Sequence, residues 1–148
     1  MKKLALITVA GMITSLSFAQ KLQEKDVPVQ VKTSFQKQFP DAKETKWEKE
    51  KGNYEAEYEM KETDCSVLID ASGNILEKEV EISLIELPAK AKEFVSKNYS
   101  GQKIKEAAKI TDAKGIITYE AEVKGKDLLF DSYGNFINEE IDQKKDND

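Results

Sequence analysis

Glu55, Glu57 and Glu59 stand at every second position, interleaved with Tyr54, Ala56, Tyr58 and Met60. Glu120 and Glu122 repeat the arrangement after Tyr119. Paired carboxylates are the raw material of general acid–base chemistry, but the chain contains no His. The usual base near neutral pH and every His-based triad are therefore absent. At spacing two the glutamates share one face of a strand, and their alternation with aromatics reads as the solvated side of a half-buried antiparallel strand. Cys65, the one cysteine, has no His to activate its thiol and is expected to pack as a small hydrophobe at a strand start. It allows no intrachain disulfide, while an intermolecular one stays open. No catalytic residue is assigned, and the chain is read as a non-enzyme that needs no cofactor.

Metal chemistry fares no better. Zinc is poorly served by one Cys without His. For calcium, Asp70, Asn74, Asp131 and Asn135 recur in equivalent loops, Asp70-Ala71-Ser72-Gly73-Asn74 and Asp131-Ser132-Tyr133-Gly134-Asn135. Neither supplies the alternating oxygen ligands and late Glu of an EF-hand. Asp-x-x-Gly-Asn is also what a tight turn with a left-handed Gly requires. No metal site is assigned.

Binding chemistry has more to work with. Trp47 and the tyrosines suit a sugar or peptide surface, although an aromatic anchor between sheet and helix explains Trp47 as well. Val67-Leu68-Ile69 and Leu128-Leu129-Phe130 are apolar without alternation. Taking Val67, Ile69, Leu128 and Phe130 inward leaves Leu68 and Leu129 on the opposite face, ringed by Glu55, Glu57, Glu120 and Glu122. An apolar centre with a charged rim is the anatomy of a partner-binding face, and a homodimer or two scattered surface leucines would fit it too.

The elements that position these residues occur twice. Pro28 answers Pro88 and Phe39 answers Tyr99 at an offset of 60, and Ile69–Asn74 answers Phe130–Asn135 at 61. Val27, Val31, Phe35 and Phe39 form one helical stripe, with Asp26 as N-cap, Pro28 in the first turn and Pro40 at the end. Leu87, Ala91, Val95 and Tyr99 repeat it, with Gly101 past the end. Each helix is followed by four strands. The first set runs through Trp47, Tyr54–Met60, Cys65–Ile69 and Ile75 to about Ile82. The second spans Ala107–Thr111, Ile117–Val123, Leu128–Phe130 and Phe136–Ile141. One such unit is too small to bury a core alone, so the expected fold is α+β: two helix-plus-four-strand units in one curved antiparallel sheet, both helices on one face.

Lys2 and Lys3, an apolar run from Leu4 to about Phe18, and Ser17-Phe18-Ala19 predict a cleaved signal peptide over 1–19. The run is too short to span a membrane, and no cysteine follows it as a lipid-anchor site. A periplasmic or secreted protein is expected. Its domain covers 20–142, in repeats of about 26–83 and 86–141, and a frayed polar tail covers 143–148. Loss of Lys2 and Lys3 takes the net charge from −5 to about −7, and every cation is Lys. An acidic chain without Arg argues against nucleic acid and against anionic membrane surfaces.

A helix opened by Pro, a Trp strand, a Tyr-x-Ala-x-aromatic strand and an apolar-Asp-x-x-Gly turn, in tandem behind a signal peptide, resemble the PepSY-like family, itself described as β-lactamase-inhibitor-like. The resemblance implies an exported, non-enzymatic α+β domain of two tandem units, of a kind common in Bacteroidetes-type bacteria. The residues point first to an exported module that binds a protein or peptide of the cell envelope through the open sheet face. The alternative is a periplasmic sensor of cations or small ligands.

Overall fold

A computed structural model describes residues 20–141. The expected signal peptide and the tail from 143 onward lie outside the described residues. Among the described residues, two α-helices and nine strands make a mixed α+β fold with open antiparallel sheet structure. The described chain divides within one strand, between Lys78 and Glu79, into two compact units.

In the first unit, strand β1 (Gln20–Leu22) leads into the helix α1 (Val29–Gln38), which is followed by β2 (Lys43–Glu50), β3 (Asn53–Met60), β4 (Thr63–Ile69) and the start of β5 (Ile75–Glu81). Neighbouring strands follow chain order. Tyr54, Ala56 and Tyr58 lie opposite Ile69, Val67 and Cys65, and Trp47 lies opposite Ala56. This face packs on α1. Phe35 meets Trp47 edge-on at 5.2 Å and Tyr58 at 5.2 Å, and Phe39 lies 4.9 Å from Tyr58. Trp47 is thus the helix–sheet anchor, 6% exposed.

The second unit holds the end of β5, then α2 (Ala89–Asn98), β6 (Ile104–Asp112), β7 (Ile117–Val123), β8 (Lys126–Asp131) and β9 (Phe136–Ile141). Its core joins Leu87, Ala91 and Val95 from α2 and the residues before it to Ala107, Ala121, Val123, Leu128 and Phe130. Here the aromatic cluster has moved along the helix, with Phe94 stacked on Phe136 at 4.4 Å and edge-on to Phe130 at 5.7 Å.

Helix starts differ from expectation. Asp26 belongs to a short 3-10 turn, Glu24–Asp26, and the N-cap of α1 is Pro28, which makes no side-chain cap. Pro88 is the N-cap of α2 in the same way. Proline's fixed φ prepares the helix entry without a capping hydroxyl or carboxylate. The matching 3-10 turn, Leu84–Glu86, carries a capping box in which Ser83 N–H donates to Glu86 Oε2 at 3.0 Å. None of the helices among the described residues is long and apolar enough to cross a membrane.

Candidate functional site

Strand pleating sorts every candidate residue. In an antiparallel pair, residues directly opposite one another point to the same face. The face away from α1 therefore carries Glu55 opposite Leu68, Glu57 opposite Ser66 and Glu59 opposite Asp64. The equivalent face of the second unit carries Glu120 opposite Leu129 and Glu122 opposite Asp127, with Ala108 opposite Glu120 on the other side. Val67, Ile69, Leu128 and Phe130 point inward as expected. Each unit thus sets a leucine directly against a glutamate.

Their exposure is the correction. The sequence pattern places Leu68 and Leu129 at the surface of an open face, and both are 1% exposed. Glu55 and Glu57, expected as the solvated side of β3, are 0% and 9% exposed, while Glu120 is 6% exposed. Glu122 is half-buried, with its Oε1 3.3 Å from Lys105 Nζ. The physical reason lies in what period-two alternation measures: it shows that the two faces of a strand differ in polarity, not that the polar one is wet. Buried carboxylates are rare unless they interact, and Glu55, Glu57 and Glu120 all do so. Buried Ser66 sits among them with an Oγ that finds no hydrogen-bond partner among the described residues.

The two Asp-x-x-Gly-Asn loops are turns. Asp70 Oδ1 accepts from the N–H groups of Ser72 and Asn74, both at 2.9 Å, and Oδ2 accepts from the Asn74 side chain at 2.8 Å. Asp131 repeats all three contacts with Tyr133 and Asn135. In both cases the Asn side-chain hydrogen bond leads in pulling the carboxyl pKa below its ordinary value. Gly73 closes the first turn at φ +90° and Gly134 the second at φ +85°, the left-handed geometry that favours glycine. Among the described residues, no group of three or more acidic, Cys or His side chains could hold a metal ion.

Cys65 is buried, and its Sγ donates to Thr63 O at 3.6 Å. Burial raises the pKa of the neighbouring Tyr58 phenol, and charge on Cys65 adds to the rise. Both groups behave as core. One cluster in the second unit has no signature in the sequence. There Glu139 accepts hydrogen bonds from Lys126 Nζ at 2.9 Å and from Tyr99 Oη, which ties β8 and β9 to the end of α2.

Two stretches, 16–77 and 74–138, match the family model described as "Putative beta-lactamase-inhibitor-like, PepSY-like". No curated protein matches. Among solved structures, a protein of Bacteroides eggerthii described as "putative periplasmic" is 18% identical with a TM-score of 0.71, over 82% of this chain and 93% of that one. A DUF2874 family protein of Bacteroides uniformis is 20% identical with a TM-score of 0.67, over 77% and 88%. A BLIP-like protein of Bacteroides fragilis is 22% identical with a TM-score of 0.60, over 82% and 91%. At these identities the likeness is one of fold.

Proposed function

Because this chain belongs to the PepSY-like, beta-lactamase-inhibitor-like family, we propose that it is an exported binding module and not an enzyme, and that it recognises a protein or peptide bearing cationic groups. The observation that carries this reading is the strand face away from the helix. In both units a buried leucine lies directly against a buried glutamate, Leu68 with Glu55 and Leu129 with Glu120. Glu57, Glu122 and Ser66 flank these pairs. Such a face sets an apolar contact beside carboxylates that already interact within the protein, and a lysine side chain with its aliphatic stem is the group suited to exchange for those contacts. A periplasmic or secreted location belongs to the same reading, supported by the Lys2/Lys3 start, the apolar run to Phe18 and the "putative periplasmic" description of a fold neighbour. Cation sensing by the loops is the weaker reading, because the Asp70 and Asp131 carboxylates are already engaged within their own turns.

Glu55 and Leu68 are fully covered, so a partner reaches them only by replacing the cover. Association is then expected below the roughly 10⁵ M⁻¹s⁻¹ typical of unsteered docking. The test is calorimetric titration of the protein with a lysine-rich peptide and with a neutral peptide of equal length. Binding of the first alone, weakened severalfold by Glu57→Gln with Glu120→Gln and by added salt, is the expected outcome. Equal binding of both peptides, or no effect of the double variant, would sink the proposal.

A further inference from the structure

Ser66 buries a hydroxyl beside a carboxylate. It lies on the face of the first unit away from α1, directly opposite Glu57, with Asp64 and Leu68 on either side of it along β4. Ser66 is 0% exposed, and its Oγ meets no hydrogen-bond partner among the described residues. A buried hydroxyl left in that state costs stability until a donor or acceptor is brought to it. Coverage thins toward the hairpin that joins β3 and β4: Glu57 is 9% exposed, and Glu59 and Asp64 beyond it are half-buried. A cation drawn to those carboxylates approaches Glu57 and Ser66 from that end.

The second unit shows what occupies the equivalent place. Trp47 lies opposite Ala56 as Ala107 lies opposite Ala121, and Glu57 opposite Ser66 as Glu122 opposite Asp127. Two residues before Ala107, at the bulge of β6, Lys105 holds its Nζ 3.3 Å from Glu122 Oε1. Two residues before Trp47, at the bulge of β2, the first unit has Thr45. The first unit therefore keeps the glutamate, has a hydroxyl in place of the second acid, and has no lysine at that position. Resting on the reading of this face as a binding surface, we infer that Glu57 and Ser66 receive the ε-ammonium of a partner's lysine side chain, in the place that Lys105 fills in the second unit. Glu57 already interacts within the protein, so the incoming ammonium exchanges for that contact. Its compact head carries three donors, enough for the carboxylate and Oγ together, whereas a planar guanidinium pairs best with a carboxylate in bidentate fashion.

The test is calorimetric titration of the protein, expressed from its full coding sequence, with a lysine-rich and an arginine-rich peptide of equal length and charge. Wild type should bind the lysine peptide about tenfold more tightly, the worth of one charge-assisted hydrogen bond. Ser66→Ala should erase that preference and leave the melting temperature unchanged or raised, because the hydroxyl it removes makes no hydrogen bond among the described residues. A serine that only supports the fold would do the reverse, lowering the melting temperature and sparing the preference. Thr45→Lys gives the first unit the lysine of the second and should weaken binding of the lysine peptide severalfold, with circular dichroism verifying the fold. Equal affinity for both peptides, a preference that survives Ser66→Ala, or undiminished binding by Thr45→Lys would overturn the inference and leave the general cation-binding reading standing. Absence of binding by either peptide would overturn both.

Discussion

Three equivalent positions hold different chemistry in the two units. In the first, the end of α1, the start of β4 and the middle of β5 supply Phe39, Cys65 and Lys78. There Lys78 Nζ lies over the Phe39 ring at 5.7 Å and Cys65 is buried. In the second, the same positions are Tyr99, Lys126 and Glu139, joined in a hydrogen-bonded chain of phenol, carboxylate and ammonium. The aromatic cores differ in the same way. Phe35, Phe39, Trp47 and Tyr58 gather over β2 and β3 in the first unit, and Phe94, Phe130 and Phe136 over β8 and β9 in the second. One backbone plan can therefore fasten its helix through packed rings or through a partly exposed ionic chain. The plan constrains where a contact forms and leaves its chemistry free.

The largest effect should come from the anchor that only the first unit has. Trp47→Ala removes the ring that meets Phe35 edge-on, at a position where the second unit manages with Ala107. A loss of about 3–5 kcal/mol is expected from the transfer and cavity terms of a buried aromatic, measured by urea unfolding with circular dichroism. Phe94→Ala should cost less, since Phe94 is only partly buried. Equal losses would mean that the two helix–sheet contacts are equivalent in energy and that the difference in aromatic placement is decorative.

A middle-sized effect distinguishes the turns. A Cβ on Gly134 would lie 2.7 Å from Pro88 Cβ and 2.9 Å from Ala91 N, and one on Gly73 would lie 2.9 Å from Gln30 O. Gly52 has a similar φ of +85° and nothing within 4 Å. Gly52→Ala should therefore cost only the left-handed strain of about 1–2 kcal/mol. Gly73→Ala and Gly134→Ala should each cost more, because the turn must lift off the first turn of its helix. Thermal unfolding of the three variants reads the order directly. A Gly52 variant as damaged as the other two would show that strain, and not helix docking, dominates.

Much of this was legible in the sequence because periodicity was strong. The Val27–Phe39 stripe and the Tyr54–Met60 alternation place α1 and β3 within a residue or two, and the Asp-x-x-Gly-Asn spacing identifies both turns. β1 leaves no signal in the sequence because three residues carry no period. The second 3-10 turn does carry a local signal, the Ser83-x-x-Glu86 capping box. In the candidate site, the facing of Leu68 and Leu129 followed correctly from the unbroken apolar runs. Their burial did not, because coverage of a face depends on what packs there, which alternation within one strand does not encode. The Tyr99, Lys126 and Glu139 cluster was invisible for a related reason: 40 residues separate Tyr99 from Glu139, and each alone is an ordinary surface residue.

The smallest effect, and the finest test of the contrast between the units, is acid dependence. Hydrogen bonds, first from Lys126 and then from Tyr99, pull the Glu139 pKa below its ordinary value of 4.5, while the first unit has Lys78 at the matching position and no carboxylate there. A carboxyl group whose folded pKa is depressed stabilises the fold above its unfolded pKa, and the contribution disappears as pH falls through the folded one. Glu139→Gln should therefore leave the second unit slightly less stable at neutral pH and should flatten part of its decline below about pH 4.5. Asp70 and Asp131 act in the same direction from 3.8 downward in their respective turns, so that component persists in the variant. Because Glu139 is exposed, the change should be small and should shrink further in salt. Thermal melts of wild type and variant between pH 3 and 7 read the difference, and parallel curves over that range would show that the ionic chain fastens α2 no more than the Lys78–Phe39 contact fastens α1.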